Sequence, residues 1–285
     1  TLMVGFNRRF DPHFMAVRGE IDKGTIGTVE MVTITSRDPG APPVDYIKRS
    51  GGIFRDMTIH DFDMARFLLG EEVAEVSAMA AVLVDPAIGK AGDSDSVQVM
   101  LKTATGKMAV ISNSRRATYG YDQRIEVHGS GGSVAAENQR PVSIEVATGA
   151  GYTRPPLHDF FMTRYTEAYA AEIAAFIDAM GGKAKASPSG EDGLLALALA
   201  ACAPAATPTP VIIERTVEVP VEKEVVITAT PEPVPPPEPE LLAVPEDEPV
   251  LVGQVPNLPA PIQVPDLPRD LALPVRIVPG PLIRD

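Results

Sequence analysis

Residues 94–114 read SDSVQVMLKTATGKMAVISNS and predict a pair of β-strands. Apolar and polar side chains alternate along residues 94–102 and again along residues 107–114, which is the period of a β-strand with one buried face. Thr105-Gly106 separates the two runs and is typical of a hairpin turn. Because strands joined by a tight turn pair antiparallel, the stretch predicts an antiparallel hairpin.

Other segments extend this pattern on both sides. A period of two predicts further strands at Thr28–Arg37, Val73–Val84, Arg124–His128, Ser133–Glu137 and Val142–Ala147. Helical spacing predicts helices at Asp11–Lys23, from Asp56 to Leu69, along Phe161–Met180 and at Glu191–Ala201. Three prolines between residues 39 and 43 predict an irregular loop. The expected fold is α+β, with a large, mostly antiparallel sheet and helices on one face.

Proline divides the chain into two parts. Nine of the 29 prolines lie in residues 1–203 and 20 lie in residues 204–285. Proline at that density removes backbone donors and fixes φ, so helices and central strands cannot run through it. We therefore predict a folded domain at 1–203 and an extended, largely disordered Pro/Glu-rich tail at 204–285, in which residues 267–283 are apolar enough to dock.

Composition excludes several classes of protein. The formal net charge of −13 argues against nucleic acid, whose phosphates are bound mainly by Lys and Arg. No apolar run approaches the ~20 residues that cross a bilayer. A single cysteine, Cys202, excludes internal disulfides and multi-cysteine metal sites, and we predict no metal. The expected location is the cytoplasm.

The segment GGIFRDMTIHDFDMARFLLG, residues 51–70, carries the candidate chemistry. Asp56 and His60 are four residues apart, which places both side chains on one helical face. A carboxylate beside an imidazole favours its protonated form and can orient it for proton transfer. In the alternative interpretation, Asp56 caps the helix and His60 is a partly buried surface residue. We expect Asp61 to be solvated or stabilised by the helix dipole, and Asp63 to be structural.

This segment closely resembles the second domain of the Gfo/Idh/MocA oxidoreductases, and within them the bacterial inositol 2-dehydrogenases. The resemblance continues through VGFNRRFDP at 4–12, TSRDP at 35–39, SNSRRATYGYDQR at 112–124, VHGSGGSVAAEN at 127–138 and SGEDGLLALALA at 189–200. It covers roughly residues 1–200 in uninterrupted order. It implies oxidation of a ring hydroxyl of a cyclic polyol or sugar to a ketone, with NAD or NADP as cofactor.

The resemblance also implies roles for particular residues. The family's catalytic Asp and His fall on Asp56 and His60, with His60 taking the hydroxyl proton and Asp56 positioning it and contacting substrate. The YGYDQR match places Tyr119 or Tyr121 at the polyol pocket. The NRRFD match suggests Asn7 and Arg8 as substrate-binding residues and Arg9 as a possible cofactor contact. The family's sheet packs against a neighbouring copy, which implies a homo-oligomer.

Cofactor binding is expected to come from elsewhere. A dinucleotide fold needs a Gly-rich turn between a strand and a helix, whereas GSGGSV at 129–134 joins two strands. Residues 2–6 resemble the inside of a strand, so we expect the N-terminal Rossmann domain upstream and predict that this chain alone is inactive. The alternative is a non-catalytic binding or assembly module.

A third interpretation concerns the junction LALAACAPAATPTP, residues 197–210. Leu199-Ala200-Ala201-Cys202 resembles a bacterial lipobox, and the residues up to 240 resemble its spacer. This would predict an envelope-anchored fusion, lipidated at Cys202. A lipobox lies near the start of a chain, however, and 201 residues precede this cysteine.

Overall fold

The structure is a computed structural model that describes residues 1–203 and the two-residue strand Arg276–Ile277. The helices are a 3₁₀ turn at Asn7–Phe10, α1 at Pro12–Asp22, α2 at Val44–Ser50, a π-helical turn at Phe54–Thr58, α3 at Ile59–Leu69, α4 at Pro86–Lys90, α5 at Phe161–Arg164, α6 at Thr166–Met180 and α7 at Gly190–Cys202. The strands are β1 at Val29–Arg37, β2 at Val73–Ala81, β3 at Ser96–Thr103, β4 at Met108–Ser114, β5 at Asp122–Gly129, β6 at Gly132–Ala136, β7 at Val146–Thr148, β8 at Gly151–Thr153 and β9 at Arg276–Ile277.

Seven strands form the main sheet, in the order β6-β5-β1-β4-β3-β2-β9. The predicted hairpin is β3–β4, with Val99 opposite Ile111, and β5–β6 is the second predicted hairpin. Strand β1 pairs antiparallel with β5 but parallel with β4, and β9 pairs parallel with β2. The predicted α+β fold with a mostly antiparallel sheet is therefore confirmed.

Helices cover one face of this sheet, and α3 is the central one. It packs on β1 and β4, and α7 packs against it. Phe62 and Leu68 of α3 are fully buried, as is Val99 of β3 on the inner face of the sheet. Burying side chains of this size contributes about 1.5–3 kcal/mol each. The burial fixes the helix that carries His60 in its first turn.

The ends of the helices follow from local chemistry. The Asp11 carboxylate accepts hydrogen bonds from the backbone N–H groups of His13 and Phe14, each at 3.1 Å, and so caps α1. Gly70 ends α3 with φ +66°, a left-handed conformation that favours glycine. Both boundaries agree with the predicted helices.

Several predicted elements differ from the structure. The predicted loop after Pro39 contains α2. The predicted strand Val142–Ala147 is reduced to β7, since Val142 and Ile144 are exposed and pair with no strand among the residues described. The helix predicted along Phe161–Met180 is interrupted at Tyr165, where φ is −111°.

Residues 2–6 were expected to form a strand, and they do not. They form no part of a sheet, and the Val4 N–H donates instead to the carbonyl of Pro188, at 2.9 Å. Phe6 continues this extended segment into the first 3₁₀ turn, with its ring buried in the core. The apolar character of the segment instead reflects packing on α7, where Leu2 and Val4 lie close to Gly190 and Gly193.

The lipobox interpretation is not supported. Leu199 and Ala200 are buried in the hydrophobic core within α7, and Cys202 is the last residue of that helix, half-buried beside the core. Within residues 1–203, no helix combines the length and apolar character needed to cross a membrane. The predictions for residues 204–285 lie outside the described residues except for β9, which falls within the segment predicted to dock.

Candidate active site

A cavity of about 850 Å³ opens where the chain leaves β1 and passes α2, α3 and the start of α6. Its lining combines carboxylate, guanidinium, imidazole and amide groups with several aromatic rings. The lining includes Asn7, Arg8, Asp38, Tyr46, Asp56, His60, Arg115, Tyr121, Phe160, Phe161, Tyr165 and Tyr169. Five of the seven residues assigned from the sequence therefore meet in one place, namely Asn7, Arg8, Asp56, His60 and Tyr121.

Asp56 is placed by a tight turn that precedes its helix. Gly51 and Gly52 adopt φ +89° and +84°, and a Cβ on Gly52 would lie 2.8 Å from a carboxylate oxygen of Asp93. That carboxylate accepts the backbone N–H of Ile53 at 3.0 Å and caps the helical turn. The Asp56 N–H donates to the Gly52 carbonyl at 3.0 Å, so its position follows from the turn.

The Asp56 carboxylate is held at both oxygens. Oδ1 accepts the Tyr46 hydroxyl at 2.5 Å, and Oδ2 accepts Nη2 of Arg115 at 3.0 Å. The Asp56 side chain is 14% exposed, toward the cavity, while that of Arg115 is 2% exposed. No hydrogen bond joins Asp56 to His60 within residues 1–203. The predicted direct orientation of His60 by Asp56 is thus absent from this arrangement.

His60 lies in the first turn of α3, partly exposed to the cavity, with its ring edge-on to Phe6 at 5.8 Å between centroids. Burial and the positive charge of Arg8 lower the pKa of His60 to about 4, and the Asp56 charge opposes them only in part. The imidazole is therefore neutral at pH 7. Asp56 does favour the protonated ring, as expected, but burial and the charge of Arg8 outweigh its effect. Nδ1 of His60 has no partner among the residues described.

Arg8 lies on the first 3₁₀ turn and lines the cavity, and its positive charge is compensated by buried partners. Its Nη1 donates to Asp61 and its Nη2 donates to Oγ of Ser36 at 3.0 Å, while Nδ2 of Asn113 donates to Asp61 at 2.8 Å. Asp61 is fully buried, so it is not solvated, and its place in the first turn of α3 leaves the helix dipole as the other predicted stabilisation. Burial raises the pKa of Asp61, against the opposing charge of Arg8. The two charges form one buried pair.

Asn7 and Arg9 flank Arg8 but have different environments. Asn7 lines the cavity, and its side-chain nitrogen is buried with no partner in the described part of the chain. Arg9 lies outside the cavity, where it donates to Asp63 at 2.9 and 2.6 Å and to Asp192 at 3.0 Å. Asp63 is accordingly a structural group, as predicted, and the guanidinium of Arg9 is occupied by carboxylates.

The two tyrosines of YGYDQR separate in the structure. Tyr121 is buried in the cavity wall, with its ring edge-on to Tyr165 at 6.0 Å, and burial raises its pKa well above the usual range. Tyr119 lies outside the cavity, and its hydroxyl donates to Asp122 at 2.6 Å. Of the two alternatives, the structure brings Tyr121 to the site.

The sequence analysis did not single out Asp38, Tyr46, Arg115 or Tyr165, all of which line the cavity. Burial raises the pKa of Asp38 to about 6, although the charge of Arg115 lowers it. Burial raises the pKa of Tyr165 to about 12. Asp38 directly follows β1, and a carboxylate at a strand end, where binding loops concentrate, was the available signal.

The lining residues fit some ligand groups and not others. Across residues 1–203, no cluster of three or more His, Cys, Asp or Glu could hold a metal ion. The glycine cluster that ends β5 forms a hairpin turn into β6. The Gly131 N–H donates a hydrogen bond to the Ile26 carbonyl at 2.9 Å and is therefore not free for a phosphate. That turn does not fit the phosphates of a dinucleotide. The polar side chains of Asn7, Asp56 and His60 in the lining instead fit the hydroxyls of a small polar ring.

Comparison with known proteins agrees with the geometry. Residues 14–135 match the GFO/IDH/MocA C-terminal domain, and this part of the chain belongs to that family. The chain is 81% identical over 196 residues to an inositol 2-dehydrogenase of Rhizobium meliloti, covering 69% of this chain and 59% of that protein. The chain thus spans about three fifths of the length of this relative.

Solved structures give the same result. A myo-inositol dehydrogenase from Corynebacterium glutamicum is 44% identical, with a TM-score of 0.70, covering 72% of this chain and 62% of that one. A scyllo-inositol dehydrogenase from Lactobacillus casei, with bound NAD(H) and scyllo-inositol, is 28% identical, with a TM-score of 0.65, covering 71% and 61%. The chain is therefore similar to inositol dehydrogenases in both sequence and fold.

Proposed function

We propose that residues 1–203 form the substrate-binding and oligomerisation part of an NAD(P)-dependent, inositol 2-dehydrogenase-like oxidoreductase that oxidises a ring hydroxyl of a cyclic polyol to a ketone. The observation that carries the proposal is the convergence of Asp56, a neutral His60, Tyr121 and the amide of Asn7 on one cavity. The similarity to inositol dehydrogenases supports it. The single cysteine and the family resemblance fit a cytoplasmic location.

His60 is the proton acceptor in this proposal. A neutral imidazole has a free nitrogen lone pair, and the pKa of about 4 keeps His60 in that form across the physiological range. A hydroxyl of the bound ring would donate to His60 and then transfer its proton as the carbon is oxidised. Asp56 holds a second hydroxyl of the ring, and its carboxylate is anchored by Tyr46 and Arg115.

The charges of the cavity favour a neutral ring over a sugar acid. Arg115 is paired with Asp56, and Arg8 is paired with Asp61. Both guanidinium groups of the lining are therefore compensated, and Asp38 adds a further carboxyl group. A substrate carboxylate would meet like charge without a free cationic partner. We expect myo-inositol to bind and glucuronate to bind at least tenfold more weakly.

In this proposal the cofactor is bound by another part of the whole protein and not by residues 1–203. A nicotinamide cofactor, when bound, supplies the hydride acceptor. The Gly-rich turn in the described part of the chain does not fit its phosphates, so we propose that NAD or NADP is held by an N-terminal Rossmann domain. On this proposal the 285-residue chain alone gives no detectable reduction of NAD by myo-inositol.

The open face of the sheet supports the homo-oligomer. Large apolar side chains point outward from four neighbouring strands. They are Met31, Met79, Met100, Met108 and Val110, each 39–64% exposed. An apolar patch of this kind marks a protein–protein contact. We propose that a second copy of the chain covers it, and that replacing Met100 by Lys lowers the molar mass measured by light scattering.

The alternative function is a polyol-binding module without turnover. It is favoured for this chain by itself because the Gly-rich turn does not fit the phosphates of a dinucleotide. One experiment distinguishes the dehydrogenase from the binding module. The nucleotide-binding domain of a family member is fused upstream, and reduction of NAD by myo-inositol is measured. Turnover that falls 10²–10⁴-fold in His60→Ala supports the dehydrogenase, since general acid–base groups contribute roughly that much. Absence of turnover in a folded fusion that binds both NAD and inositol would favour the binding module.

A further inference from the structure

Tyr46 lies on α2, the short helix within the segment predicted to be an irregular loop. Ile47, the next residue, is 3% exposed and anchors the helix, which lies against α4. The ring of Tyr46 is 46% exposed and lines the cavity. A tyrosine so exposed contributes little to the core, so its placement calls for another explanation than packing.

The contacts of Asp56 supply that explanation. Tyr46 donates to Oδ1 at 2.5 Å, and Arg115 donates to Oδ2 at 3.0 Å. The Arg115 backbone N–H is itself tied to the Asp95 carbonyl at 2.8 Å, and its side chain is almost fully buried. Arg115 is therefore a rigid support, and Tyr46 is the adjustable one.

A carboxylate offers about four lone-pair positions, and these two donors occupy two of them. The remaining positions are free for a ligand, because neither His60 nor any other group within residues 1–203 donates a further hydrogen bond to Asp56. We propose, building on the proposed function, that Tyr46 is a positioning residue that holds Asp56 where it accepts a hydroxyl of the cyclic polyol.

The raised pKa of Tyr46 is consistent with its hydrogen bond to Asp56. Its hydrogen bond to Asp56 is the main reason why its pKa is raised, with burial adding to the effect. Loss of the Asp56 charge should therefore lower the pKa of Tyr46 toward its ordinary value. This response reports on the contact without any ligand.

Tyr119 provides a matched control. It is 48% exposed, close to the value for Tyr46, and it also donates a short hydrogen bond to a carboxylate, that of Asp122. It lies outside the cavity, however. The substitution Tyr119→Phe removes the same hydroxyl and the same kind of hydrogen bond without touching Asp56. It also removes the hydrogen bond that this hydroxyl accepts from Nη1 of Arg37 at 3.0 Å.

The experiment is a calorimetric titration of myo-inositol into the full 285-residue chain and its variants Tyr46→Phe, Asp56→Asn, the double variant and Tyr119→Phe. We expect Tyr46→Phe to weaken binding about five- to tenfold, since hydrogen bonds to charged groups are among the stronger ones and Arg115 still holds the other oxygen. In the Asp56→Asn background the same change should matter less than about twofold, because contacting residues are energetically coupled. Tyr119→Phe should bind as the wild type does.

Other results decide against the proposal. An equal effect of Tyr46→Phe in both backgrounds, or none, would overturn it while leaving the proposed function intact. If Asp56→Asn abolishes binding, the pKa of Tyr46 is measured instead, from the ultraviolet absorbance of its phenolate in the wild type and in Asp56→Asn. The same pKa of Tyr46 in both proteins would overturn the proposal. Failure of the folded wild type to bind myo-inositol would instead contradict the proposed function, and the role of Tyr46 would fall with it.

Discussion

The lowered pKa of His60 makes the stability of the protein depend on pH in a defined window. The pKa falls from 6.5 to about 4 on folding, so the unfolded state binds the proton more tightly. The contribution of His60 is fully present above pH 6.5 and is lost as the pH falls toward 4. Lowering the pH from 7 to 5 should cost about 2 kcal/mol, and the complete loss below pH 4 should approach about 3.4 kcal/mol.

The assay is urea unfolding followed by circular dichroism at pH 7 and pH 5. The wild type is compared with His60→Gln, which cannot titrate, so other groups such as Asp38 cancel in the difference. The wild type should lose about 2 kcal/mol more than the variant between the two pH values. A difference below about 0.5 kcal/mol between wild type and His60→Gln would refute the reasoning.

Three further predictions concern stability, each measured by urea unfolding at pH 7. Phe62→Ala should cost about 3–5 kcal/mol because it opens a cavity under α3. Asp61→Ala should cost about 3–5 kcal/mol because it leaves the buried charge of Arg8 without its partner. Asp93→Ala should cost about 0.5–2 kcal/mol because it removes the cap on the turn at Ile53.

Each of these predictions has a result that would contradict it. For Phe62→Ala it is a cost below about 1 kcal/mol, the level of an ordinary substitution. For Asp61→Ala the control is Glu20→Ala, which breaks the exposed pair with Lys23 and should leave stability unchanged. Equal effects of the two would mean that Arg8 is not buried as described. For Asp93→Ala, unchanged stability and unchanged polyol binding together would show that the turn does not depend on its cap.

Much of the fold could be predicted because its signals are local. The β3–β4 hairpin combines a strict period of two with a Thr-Gly turn, and both are properties of adjacent residues. The parallel pairing of β1 with β4 could not be predicted, since Val32 and its partner Ala109 are far apart in sequence. Helix α2 was missed because it has only seven residues, follows three prolines and buries mainly Ile47.

The site was also predicted in part, because some of its signals are local in the sequence. Asp56 and His60 share a helical segment, so their spacing shows that they can lie on one face. The burial of Asp61 depends on Arg8, 53 residues away, and no local pattern contains that pairing. The neutral state of His60 likewise depends on Arg8 and on burial, which only the tertiary structure provides.

The central claim is that the cavity of Asp56 and His60 binds a cyclic polyol. The most direct test is a calorimetric titration of myo-inositol into the wild-type chain and into Asp56→Asn. Saturable binding by the wild type, with glucuronate at least tenfold weaker and with at least tenfold weaker inositol binding in Asp56→Asn, is the predicted result. Absence of binding by the folded wild type, or equal binding by Asp56→Asn, would contradict the account.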